Sequence, residues 1–103
     1  MRKLLVIAVL LLFAGGLSAR DISVSGYVTD KESGEPLLGA GVQYGSGRGC
    51  VTNSYGRYTF NIPAGQEVSI VFSYVGYSSR TVELKAQRDT VLDVALLPDA
   101  ALE

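Results

Sequence analysis

The 103-residue chain has no histidine and no tryptophan, a single cysteine and three prolines. Without histidine it lacks the usual general base and the commonest zinc ligand. Its serines therefore have no histidine partner, and none lies in a Gly-x-Ser-x-Gly elbow. The lone Cys50 cannot close a disulfide within the chain, so a domain of this size must rest on a well-packed apolar core. Beside Gly49 in a strand-like stretch, Cys50 reads as a small half-buried hydrophobe. Gly45, Gly47 and Gly49 do not open a helix, which argues against a phosphate cradle. Asp30, Glu32 and Glu35 lack the spacing of a calcium loop and read as a solvated turn. No catalytic residue, cofactor or metal site is expected.

What the chain does have begins at its N-terminus. Arg2 and Lys3 precede an unbroken apolar run from Leu4 to Phe13, and small residues follow from Ala14 to Ala19. That is the layout of a secretory signal peptide over residues 1–19. Cleavage is expected after Ala19, or after Ser18 if Leu17 is too bulky. A membrane anchor is the weaker reading, because a spanning helix takes about 20 apolar residues. No cysteine stands at the cleavage site to carry a lipid. Beyond residue 19, 84 residues remain (103 − 19), with seven basic against ten acidic side chains. That balance excludes a strong nucleic-acid footprint.

The remaining residues alternate apolar and polar and break at Gly, Pro, Asn and Asp, the pattern of short strands joined by tight turns. Ile22, Val24, Gly26 and Val28 share one face of a first strand. Val42 and Tyr44 begin a second, Cys50 to Thr52 form a third, and Arg57 to Ile62 a fourth. Val68 to Tyr74, Val82 with Leu84, and Leu92 to Leu96 supply the fifth, sixth and seventh. Leu37 and Leu38 are expected to plug the end of the core. Seven such strands predict an all-β, antiparallel β-sandwich over residues 20–97, with 98–103 as an unstructured tail.

Six tyrosines could cap the core or form a sugar-stacking platform. Tyr27 falls on the polar face of its strand and Tyr55 in a turn, so these two rings are the expected exposed ones and candidate ligand contacts.

The blocks Val24-x-Gly26-x-Val28-x-Asp30 and Gly34-Glu35-Pro36-Leu37-x-Gly39-Ala40-x-Val42 closely resemble the carboxypeptidase regulatory-like domain. Thr52-Asn53-Ser54-Tyr55-Gly56-x-Tyr58 matches a further block of that family, with Asn53 where Asp is usual. Phe72-Ser73-Tyr74-Val75-Gly76-Tyr77 resembles the signature of one branch, the N-terminal domain of SusC/RagA-type TonB-linked outer-membrane proteins. The resemblance runs from about Ile22 to Leu97 and implies a prealbumin-like seven-stranded sandwich. It implies a non-catalytic periplasmic accessory domain of a nutrient transporter for glycans or peptides, with TonB and the parent's plug and barrel as partners. Contact with the membrane would come only through that barrel, and the isolated domain is expected to be a monomer.

The sequence ends where a TonB box would begin, so it is expected to be a fragment of such a transporter. TonB pairs by strand addition, which makes the edge near Thr90–Leu96, with Asp93 on its outer side, a candidate partner contact. Two other readings stand beside this one: a small secreted carbohydrate-binding sandwich and a structural spacer.

Overall fold

The computed structural model describes residues 20–99. The proposed signal peptide and residues 100–103 lie outside the described residues. Eight strands follow one another: β1 (Asp21–Asp30), β2 (Gly41–Tyr44), β3 (Arg48–Val51), β4 (Arg57–Pro63), β5 (Val68–Ser73), β6 (Arg80–Leu84), β7 (Thr90–Val91) and β8 (Val94–Leu96). They form two four-stranded sheets. One has β1 at its centre, with β4 on one side and β7 and β8 on the other; the second runs β3-β2-β5-β6.

The alternation that marks these strands also builds the core. Ile22, Val24 and Val28 of β1 and Tyr58, Phe60 and Ile62 of β4 point into the sandwich. Val42 of β2, Val68, Ile70 and Phe72 of β5, and Val94 and Leu96 of β8 complete it. Period-two placement lets every second side chain leave water, and that burial is the dominant favourable term in folding. Aromatic contacts tie the two sheets together. Tyr44 stacks on Phe60 with ring centroids 4.0 Å apart, and Tyr58 meets Phe72 edge-on at 5.4 Å.

Four expectations need correction. The seventh strand is two short strands, because the chain kinks at Leu92 and Asp93. Both pieces run parallel to β1, Val24↔Thr90 and Val28↔Val94, so that sheet is mixed and not wholly antiparallel. Leu37 is buried, but Leu38 is 57% exposed and plugs nothing. Leu38 stands in the turn that Gly39 completes at φ +81°, and the turn carries its side chain away from the core. Pro98 and Asp99 are not an unstructured tail. Pro98 bridges Tyr77, and the Asp99 N–H donates to the Gly76 carbonyl at 2.9 Å.

Candidate functional site

The kink between β7 and β8 brings two of the three candidate contact residues together. On that side β1 must find acceptors for its backbone N–H groups, since a buried unpaired donor is costly. Where strand pairing lapses, aspartates take over. Asp89 Oδ1 accepts the Ser23 N–H and Asp93 Oδ1 accepts the Tyr27 N–H, each at 2.9 Å. Asp93 is therefore a ladder substitute as well as an exposed carboxylate. Between these aspartates the Leu92 N–H donates to the Ser25 carbonyl at 2.7 Å.

The Leu92 carbonyl turns inward at the kink. It accepts the Tyr58 hydroxyl at 2.5 Å. It also lies over Gly26, where a Cβ would collide with it. Gly26 is thus glycine for close backbone approach and not for a turn. Burial pushes the Tyr58 phenol well above its ordinary range, with Asp93 adding to the effect. The ring stays a neutral hydrogen-bond donor.

Tyr27 is 45% exposed and Tyr55 74%, as expected of a strand's polar face and a turn. Tyr27 pairs with Arg57 across the β1–β4 ladder. Asn53 holds the turn by accepting the N–H groups of Tyr55 and Arg57 at 2.9 and 3.0 Å. This is the usual role of a short polar side chain at such a turn, and Asn53 serves it in place of Asp.

The Phe72–Tyr77 signature forms a second assembly. Gly76 takes φ +87°, which lets the chain reverse, and the Tyr77 N–H closes the turn on the Tyr74 carbonyl. Tyr74 and Tyr77 meet edge-on at 5.5 Å. The Tyr77 hydroxyl donates to Asp30 Oδ2 at 2.6 Å, while Asp30 Oδ1 accepts the N–H groups of Glu32 and Ser33. The Tyr77 bond, helped by those from the turn, holds the Asp30 carboxyl below its usual range. The same bond raises the Tyr77 phenol to about 12. Sequence reasoning placed Asp30 in a solvated turn and missed this link, because its two residues are 47 positions apart.

Next to this turn lies an open depression of about 420 Å³, lined by Gly39, Gly41, Ser73, Tyr74 and Val75. Among the described residues no group of three or more His, Cys, Asp or Glu is placed to hold a metal ion.

Two facing four-stranded sheets, one of them mixed, closed around an apolar core make a prealbumin-like β-sandwich. Residues 24–103 match the profile of the CarboxypepD_reg-like domain, and the chain belongs to that family. It is similar to a TonB-dependent receptor of Formosa agariphila, 33% identical over 92 residues that make up 85% of this chain and 9% of the receptor. The chain thus spans a small part of that relative's length.

Two solved structures share the fold. The 3-chlorocatechol 1,2-dioxygenase of Rhodococcus opacus aligns with TM-score 0.65 at 14% identity, over 80% of this chain and 62% of that one. The C-terminal domain of the shaft pilin SpaA of Lactobacillus rhamnosus aligns with TM-score 0.59 at 14% identity, over 78% of this chain and 99% of that one.

Proposed function

We propose that this chain is an exported, non-catalytic accessory domain of a SusC-like, TonB-dependent outer-membrane transporter, lying on the periplasmic side. The similarity to a TonB-dependent receptor across 85% of the chain carries this reading. A fold shared by an oxygenase and a pilin does not fix an activity, so the argument rests on relatedness and on the site. The site offers interaction surfaces: exposed tyrosines, an open depression and a firmly bonded exit at Asp99. The transporter would take up glycans or oligopeptides. The domain would stand beside the plug and guide the docking of TonB, with TonB and the parent barrel as its partners. The test is deletion of residues 20–97 from the full-length parent. Impaired TonB-dependent uptake, with the barrel still inserted, is the expected result; unchanged uptake overturns the reading.

A carbohydrate-binding role is favoured by one observation, the exposure of the Tyr27 and Tyr55 rings. It requires heat of binding with at least one oligosaccharide, lost on Tyr27→Ala or Tyr55→Ala. Calorimetry that is silent across a glycan panel removes it.

A further inference from the structure

Two strands end their sheets on the same side of the sandwich. Among the described residues β8 pairs with β1 alone in the first sheet, and β6 with β5 alone in the second. The two margins meet where the Ser78 N–H donates to the Leu97 carbonyl at 2.9 Å, with Tyr77 and Pro98 bridged beside it. Past that bond they part, and an open cleft of about 270 Å³ lies between them.

The backbone on one wall of this cleft is ready to accept a further strand. Backbone groups point alternately to the two sides of a strand. The Leu96 carbonyl accepts the Lys31 N–H from the β1 side, and the Leu97 carbonyl accepts Ser78 from the other. Ala95 shares the Leu97 side, so its N–H and C=O face the cleft and not β1. Edge strands are normally blunted by proline or by charge. Val94-Ala95-Leu96 carries neither, and Leu97 next to it is 48% exposed.

The side chains around the cleft select by charge. Ser78, Ser79 and Arg80 form one wall, and Lys31 reaches it from the other. The lining thus holds two cations, two hydroxyls and no carboxylate, although acidic residues outnumber basic ones beyond residue 19. Asp30, which precedes Lys31, is already engaged by the Tyr77 hydroxyl and by the N–H groups of its own turn.

We propose that this cleft is a docking site for an extended, acidic segment of a partner protein, which adds as a strand to the free edge of β8. The Ala95 backbone supplies main-chain hydrogen bonds, and Leu97 supplies apolar contact. Arg80 and Lys31 take carboxylates carried on alternate residues of the segment, and this complementarity excludes basic partners. The proposal concerns the surface of this chain and stands whether or not the domain belongs to a transporter.

Fluorescence anisotropy with labelled synthetic peptides and the full chain tests it. The first probe is an eight-residue peptide, capped at both ends, in which Glu alternates with Val and Thr. The second has Lys for every Glu. The third keeps the Glu residues but carries N-methyl groups on alternate amides, which removes its strand-pairing donors and leaves its charge. The acidic peptide should bind, and the other two should bind at least about tenfold more weakly. Its binding should slow hydrogen exchange at the Ala95 amide. Arg80→Glu and Lys31→Glu should each weaken it several-fold, whereas Arg48→Glu, on the opposite edge of the second sheet, should not. No binding of the acidic peptide at millimolar concentration overturns the proposal, and so does equal binding of the Lys peptide. Equal binding of the N-methylated peptide makes the cleft a plain anion site and overturns strand addition. The peptide comparisons need no variant, so they stand even if a substitution disturbs folding.

Discussion

Gly26 of β1, Tyr58 of β4 and Leu92 of the kink between β7 and β8 act as one unit. Gly26 leaves room for the Leu92 carbonyl, and the Tyr58 hydroxyl satisfies it. Gly26→Ala should force the two strands apart and cost about 1–3 kcal/mol, the range for overpacking a tight interior. Tyr58→Phe keeps the ring but orphans the carbonyl, a loss of about 1–3 kcal/mol. Urea unfolding of both variants measures these costs. Thr52 has a comparable role. Its hydroxyl accepts the Ala40 N–H at 2.9 Å and donates to the Leu37 carbonyl at 2.5 Å, fully inside the fold. Thr52→Val is nearly isosteric and should still destabilise by about 1–3 kcal/mol for each backbone group left unpaired.

The Tyr77–Asp30 bond predicts a pH window. The Asp30 carboxyl titrates lower when folded, so its contribution is present above the unfolded carboxylate range of about 4 and fades as pH falls through the folded value. The Tyr77 phenol titrates higher when folded, so its contribution is full below about pH 10 and is lost as pH rises towards about 12. The stability gap between the wild type and Tyr77→Phe should therefore be widest between those limits and narrow on both sides. Denaturant midpoints recorded across pH read it directly.

At the scale of elements, strands with one wet face were legible and those that depend on a distant partner were not. β1, β4 and β5 alternate cleanly because one face is buried and the other meets water, and their core residues follow from spacing alone. β7 and β8 read as one strand because Leu92, Val94 and Leu96 keep the period through the kink. What breaks the strand is the inward turn of a carbonyl toward Tyr58, and no local signal encodes a contact 34 residues away. Parallel pairing was hidden for the same reason: alternation reports which face is buried and is silent on strand direction. The candidate site was half legible. Exposure of Tyr27 and Tyr55 followed from face and turn, whereas the backbone bond that enlists Asp93 needed the fold. At this scale a charge on the β8 inner face is the sharp test. Val94→Asp places an unpaired carboxylate at a fully enclosed position and should abolish cooperative unfolding, while Ala95→Asp, half-exposed on the same strand, should leave it.

For the whole molecule, two sheets close on each other unevenly. Beside β4, the β3 segment brings Cys50 to the Thr59 backbone N–H, and burial pushes the thiol up, partly offset by that bond. Modification of Cys50 by a thiol reagent should accordingly be slow in the folded protein and speed up with denaturant. On the far side the strands of the two sheets part above the Ser78–Leu97 bond. They leave an open cleft of about 270 Å³ rimmed by Lys31 and Arg80.

The parallel neighbours of β1 also set a clock. β1 is the first strand described, yet two of its three partner strands are the last two, some 66 residues later. A chain that is threaded through a membrane from its N-terminus would deliver β1 long before β7 and β8. Until they arrive, β1 has an unfilled edge, and Val94 and Leu96 are missing from the core. Contacts so distant along the sequence form late and slowly. The domain would therefore stay loose throughout its passage and lock only when its final residues emerge.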